Sequence, residues 1–190
     1  MNEELIQSAI QYIIELFKDS DASHDAEHTL RVYRNAMLIA ENEPGCDKEV
    51  VAVAALLHDA DDHKLFPSTD LQNARAFLTE HGFPKDRTED ICEIIRSVSF
   101  SNNRDRRPRT PEGKIVQDAD RLDAIGAVGV ARTFAFGGER GRSLQDSVKH
   151  FHEKLLLLKD LMNTETGRQL AENRHAFLES FLAEYEEETR

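Results

Sequence analysis

Residues 47–64, DKEVVAVAALLHDADDHK, join the most apolar run of the chain to its most conspicuous group of metal-type side chains. Hydrophobic residues fill every position from Val50 to Leu57 with no turn-bounded alternation. The spacing therefore predicts a central helix buried on all sides, running from about Asp47 to His58. His58 and Asp59 stand at its carboxyl end. A His-Asp dipeptide alone is an ordinary polar helix terminus. At the end of a core helix, however, a carboxylate without a cation is costly, and the pair reads as metal ligands.

Outward from this stretch the same three- and four-residue apolar steps recur, and no strand is needed. Ile6, Ile10, Ile13 and Phe17 make an amphipathic first helix that ends in KDSDAS. A second starts near Ala26 and runs through Val32, Ala36 and Ile39 until the Pro and Gly of ENEPG stop it. On the carboxyl side, PSTD caps a fourth helix closed by Gly82, and PKD opens a fifth that reaches about Val98. The segment 99–113, SFSNNRDRRPRTPEG, has two prolines and no period, and reads as a functional loop. Helices resume over KIVQDADRLDAIGAVGVARTFAF, where Gly126 and Gly129 allow close packing or a bend. Two long helices follow, about Leu144 to Met162 and Gly167 to Glu187. The fold class is all-α, a helical bundle.

A chain of 190 residues with 39% hydrophobic content can bury the core of one domain over 1–190, with a motif-bearing part at about 20–140 and two carboxyl-terminal helices at about 143–188. A net charge of −12 argues against a nucleic-acid polymer as partner, because such binding draws on Lys and Arg neutralising phosphates. Cys46 and Cys92 are single and distant, which suits reduced thiols in the cytoplasm. The amino terminus lacks a basic start followed by an apolar run, so no signal peptide is expected, and no run approaches the roughly 18 apolar residues of a membrane span. Oligomeric state is not legible; the carboxyl-terminal helices are expected to pack on their own domain.

Metal-type side chains recur in three segments: His28 in AEHTLRV, His58-Asp59, and Asp118, Asp120 and Asp123 in VQDADRLDA. Two imidazoles with two carboxylates can hold a divalent ion while leaving positions open for water and substrate. Such a set suits Mn, Fe, Co, Ni or Zn better than Mg. Which Asp of the last segment takes part stays open on residue type alone.

The ordered set SHDAEHTLRVYRNA, LLHDADDHK, SFS and KIVQDADRLDAIGAVGVARTFAFGG resembles the HD-domain superfamily of metal-dependent phosphohydrolases over residues 20–140. It is similar to small bacterial HD hydrolases, some of which act on nucleoside triphosphates. The resemblance implies His28, His58, Asp59 and Asp120 as ligands, with Asp118 and Asp123 as alternatives. It also implies a nucleotide substrate, a triphosphate cut to monophosphate and pyrophosphate. A nucleoside monophosphatase is the alternative within the class, and a metal-binding regulatory module without turnover the alternative outside it.

Asp62 follows Asp59 by three, where related HD enzymes carry a catalytic Glu or Asp, and Asp61 is the fallback. A phosphorylated substrate needs cations. Lys64 is closest in sequence to the motif, Arg104, Arg106, Arg107 and Arg109 form the densest basic cluster, and His24 stands before the second helix as a cap or substrate contact. Arg31 and Arg121 are expected in salt bridges. His63, His81, His150, His152 and His175 read as ordinary polar residues, and Phe100, Phe134 and Phe136 as core in preference to base-stacking groups. The segment HDAEH, residues 24–28, also matches HxxEH, an inverted zinc-peptidase motif with Glu27 as base. That reading leaves His58, Asp59 and Asp120 without a purpose.

Overall fold

The computed structural model describes residues 1–18, 26–63, 66, 68–99, 103 and 106–190, and among these residues every regular element is helical. The central element is α3 (Lys48–Leu57). All eight residues from Val50 to Leu57 are buried. Around it pack α1 (Glu3–Leu16), α2 (Ala26–Asn42), α5 (Lys85–Val98) and α6 (Pro111–Asp123). Asp47 starts α3 by accepting from the amides of Glu49 and Val50, so the apolar run begins with its first donors satisfied. Ile6, Ile13 and Phe17 of the expected first stripe are buried with Ala9 beside them and Ile10 half-buried, and Val32, Ala36 and Ile39 of α2 turn inward as expected.

Three boundaries differ from the sequence reading. The fourth helix, α4 (Gln72–Glu80), begins after PSTD, and its N-cap Leu71 lies in left-handed backbone at φ 56° with no side-chain cap. Asp61 supplies the missing acceptors, taking the amides of Asn73 at 2.8 Å and Ala74 at 2.9 Å. Second, α6 starts three residues before the apolar period does. Thr110 caps it through the Gly113 amide and Pro111 occupies its first turn, where a missing N–H costs nothing.

Third, the helix expected over Leu144–Met162 is cut short. It ends as α8 (Leu144–Glu153) and gives way to two 3-10 turns, Leu155–Leu157 and Lys159–Leu161. A three-residue period stacks side chains three apart, and Leu155 and Leu158 are thereby both buried, as is Met162 just after the second turn. Arg121 donates to the Leu161 carbonyl and fastens the turns to α6. Between α6 and α7 (Gly126–Glu139), Gly126 takes a φ of +78°. A Cβ on Gly129 would sit 2.2 Å from the Ala124 carbonyl oxygen, so the two helices meet more closely than any other residue permits.

The last helix, α9 (Glu165–Glu188), packs across α6 and α7. Its start is held by buried Asp118, which accepts from the amides of Asn163 and Thr164, the Thr164 hydroxyl and the Asn163 side-chain amide. No described helix is long and apolar enough to cross a membrane.

Candidate metal centre

His28 on the first turns of α2, His58 at the end of α3 and Asp120 on α6 bring one ligand atom each within 4.8 Å of one another. Asp59 completes the group: its Oδ2 lies 3.4 Å from His28 Nε2, and its Oδ1 lies 3.4 Å from His58 Nε2. Asp120 Oδ1 is 3.5 Å from His28 Nε2. Both histidines are buried.

Their tautomers follow from their other ring nitrogens. His58 Nδ1 lies 2.8 Å from the Ala55 carbonyl and His28 Nδ1 lies 2.7 Å from the Asp123 carboxylate. The Ala55 carbonyl can only accept, so His58 Nδ1 carries a proton; His28 Nδ1 meets the accepting Asp123 carboxylate at 2.7 Å and the donating Arg132 Nη1 at 2.8 Å, and each Nε2 turns toward the carboxylates. His58 Nε2 is buried and makes no hydrogen bond among the described residues. An unsatisfied buried nitrogen facing two carboxylates is costly unless a cation joins them. The set therefore fits a divalent ion, with two imidazole nitrogens and two carboxylates as donors.

Asp123, one of the alternatives for the last ligand, orients His28 from behind. It also receives Arg31 Nε at 2.7 Å and a bond from Arg132. Burial would raise its pKa, but His28, Arg31 and Arg132 outweigh that and hold it far below the ordinary carboxylate range. Burial disfavours the protonated form of His28. The Asp123 and Asp59 carboxylates prevail and raise its pKa to about 9. The other alternative, Asp118, faces α9, where burial raises its pKa despite four donors. Of the three aspartates, Asp120 alone joins the histidines.

These groups line a cleft of about 880 Å³ that also takes in Asp62, Arg96, Arg132, Phe136 and, from α8, His150. Asp62 is mostly buried, with its Oδ1 3.6 Å from His63 Nδ1. Asp61 reaches the cleft wall as well, but its carboxylate is committed to the start of α4, which corrects its place as a catalytic fallback. Arg107 and Arg109 do not reach this cleft: they line a separate one of about 1120 Å³ between α3, α5 and the start of α6, beside Asp47 and Glu112. Their loop precedes α6, and the candidate ligand Asp120 lies about two and a half helical turns further along it. His24, Lys64, Phe100 and Arg104 lie outside the described residues. Phe134, half-buried, packs against Phe151 and Phe181 at the edge of the core, whereas Phe136 lines the cleft.

Arg31 forms the expected salt bridge, and Arg121 donates to the Leu161 carbonyl. Sequence reasoning gave no role to Arg132, although it lies within KIVQDADRLDAIGAVGVARTFAFGG, nor to Arg142 and Lys154, and read His150 as an ordinary polar residue; all four line the cleft. Glu27, the base of the HxxEH reading, is exposed and lies 3.7 Å from Arg31, turned away from the cluster.

A helical core presenting two histidines and two carboxylates at a cleft is the arrangement of a metal-dependent hydrolase, and the sequence matches the HD domain family over residues 25–125. The chain belongs to that family, whose members bind divalent metals, and it is a metal-dependent phosphohydrolase of the HD superfamily. It is 42% identical to the YpgQ protein of Bacillus subtilis over 97% of this chain and 92% of YpgQ. The crystal structure of Bacillus subtilis YpgQ in complex with ADP superposes with a TM-score of 0.85 at 36% identity, over 97% of this chain and 95% of that one. An HD-superfamily hydrolase from Bacillus thuringiensis superposes with a TM-score of 0.80, again at 36% identity, over 98% and 97% of the two chains.

Proposed function

We propose that the chain hydrolyses a nucleoside triphosphate to the monophosphate and pyrophosphate, with a divalent transition ion held by His28, His58, Asp59 and Asp120. The observation that carries this reading is the convergence of both Nε2 atoms with the Asp59 and Asp120 carboxylates at the wall of one cleft. Bound there, a divalent ion supplies Lewis acidity toward a phosphoryl oxygen and lowers the pKa of water from ~15.7 toward ~7. The mixed imidazole and carboxylate donors suit Mn, Fe, Co, Ni or Zn. The ADP bound by YpgQ supports a nucleotide as the ligand of this cleft.

Asp62 is the group placed to take a proton from the attacking water. It follows Asp59 by one helical turn, and the amide of Asp62 bonds the Asp59 carbonyl, so both carboxylates issue from one tight turn after α3. The water oxygen forms a bond to the α-phosphorus, and the bond from that phosphorus to the bridging oxygen breaks. Pyrophosphate leaves with the bridging oxygen. Arg132, bonded to Asp123 behind His28 and lining the cleft, keeps positive charge beside the reacting phosphoryl group.

Phosphate and pyrophosphate release would be measured from nucleoside mono-, di- and triphosphates, using stripped protein resupplied with Mn, Co, Ni, Zn or Mg and the Asp59→Ala variant as control. Pyrophosphate from triphosphates, dependent on metal and lost in Asp59→Ala, is the expected result. Phosphate from monophosphates alone would replace this reading with a nucleotidase.

A further inference from the structure

The family match ends at residue 125, yet much of the cleft is lined by residues 129–155, on α7, α8 and the turns that bound them. This wall carries Arg142, His150 and Lys154, with Glu139 its one acid. Helix α7 closes on Gly141, whose φ of +64° lets the Arg142 amide return to the Gly137 carbonyl at 2.9 Å and the Gly141 amide to that of Gly138 at 3.1 Å. The next residue, Ser143, caps α8 through the Asp146 amide. Arg142 is thus fixed between the end of one helix and the start of another. Its guanidinium carbon lies 5.4 Å from the centroid of Phe136.

Ser147 and His150 on α8 and Lys154 just past its end follow at steps of three and four and all line the cleft. The two helices approach closely here, since a Cβ on Gly137 would meet the Ser147 hydroxyl at 2.3 Å. The basic groups crowd one another: burial, then Lys154 and Arg142, lower the pKa of His150. Along α7, Phe136 stands one turn, about 6 Å, beyond Arg132 at the metal end. The cationic face therefore begins within the reach of a chain of phosphoryl groups whose first member lies at the metal.

We infer that Arg142, His150 and Lys154 form a polyphosphate subsite, which holds the phosphoryl groups beyond the one attacked and selects triphosphates over monophosphates. The inference rests on the proposed reading of the same cleft. In that reaction the departing bridging oxygen gains negative charge, and two fixed cations neutralise the pyrophosphate as it leaves.

The test pairs kinetics with binding on the metal-loaded full chain, for wild type, Arg142→Gln and Lys154→Gln. Kinetics compare pyrophosphate release from a nucleoside triphosphate with hydrolysis of bis(p-nitrophenyl) phosphate, a diester with no distal phosphates. Calorimetry compares an α,β-methylene nucleoside triphosphate with the monophosphate. We expect the kcat/KM ratio of triphosphate to diester to fall at least tenfold in each variant, and the tighter binding of the triphosphate analogue to be lost. Unchanged ratios and unchanged preference in both variants, with the metal-induced rise in Tm intact, would overturn the subsite and leave pyrophosphate release standing. Failure of the wild type to release pyrophosphate would defeat the reaction instead; a triphosphate preference that the variants lose would then still establish the subsite.

Discussion

Asp123 binds His28 through the nitrogen that faces away from the cluster, and its own charge is balanced by Arg31 and Arg132. A carboxylate in that position fixes the imidazole tautomer and raises its basicity. Asp123→Asn is expected to weaken Mn affinity by about 10- to 100-fold, measured by calorimetry, with the helical content unchanged; undiminished affinity would remove Asp123 from this role. The same contacts set a pH dependence. A His28 pKa raised to about 9 stabilises the metal-free protein fully below the unfolded value near ~6.5, and this is lost as pH climbs through 9. The depressed Asp123 works in the other direction: its contribution is complete above about pH 4 and lost as acid protonates it. Since the ion needs His28 neutral, Mn affinity should climb roughly tenfold per pH unit between about 6.5 and 9, with close to one proton released per ion bound at pH 7.5. A flat affinity over that range would contradict a protonated His28. A salt bridge for Arg31 was legible from its spacing, but not that Asp123 is its partner and backs His28, because the three aspartates of DADRLD differ only in the direction each leaves α6.

At the scale of elements, adjacent carboxylates take up different work. Asp61 caps α4, whose own N-cap offers nothing, and Asp62 faces the cleft. Asp61→Ala should cost about 1–2 kcal/mol in denaturant unfolding, as lost caps do, with metal affinity retained. Asp62→Asn should leave stability within about 0.5 kcal/mol and reduce kcat by about 10²- to 10⁴-fold, the range of a general base. A reversed pattern would exchange the two assignments. Gly167 in the first turn of α9 offers a test of opposite sign to helix propensity. Alanine there would ordinarily gain up to about 1 kcal/mol over glycine. Here its Cβ would come within 2.5 Å of Asp118 Oδ2 and 2.7 Å of the Thr164 hydroxyl, the pair that seats the helix. Gly167→Ala should therefore lower stability by about 1–3 kcal/mol, and a rise in Tm would show that the contact yields. Capping signals foretold the start of α3, where Asp47 satisfies the first donors, and PKD that of α5, whereas the Thr110 cap of α6 lay in a segment read as loop. They missed α4, capped by a residue eleven positions before its first turn, and the 3-10 turns after α8, which answer to burial against α6.

Across the whole molecule, the candidate ligands come from α2, α3 and α6, so an ion joins three helices that also share the core. Metal at a hundredfold excess over its Kd should add about 2.7 kcal/mol to stability, roughly a 5–10 °C rise in Tm at this chain length, reversed by chelation. An unchanged Tm would argue against an ion at this site. The sequence by itself determined the all-helical class, the buried central helix and the segments that carry the four candidate ligands. Each of these is written in local periodicity or in side chains that cannot be buried cheaply without a cation. Only the tertiary structure decided what surrounds the candidate metal site. It sent Arg107 and Arg109 to another cleft, turned Asp123 behind His28, and brought Arg132, Arg142, His150 and Lys154 to the wall of the same cleft. The reason is that a helix's period assigns a residue to a face, whereas the partner of that face is set by the packing of the entire core.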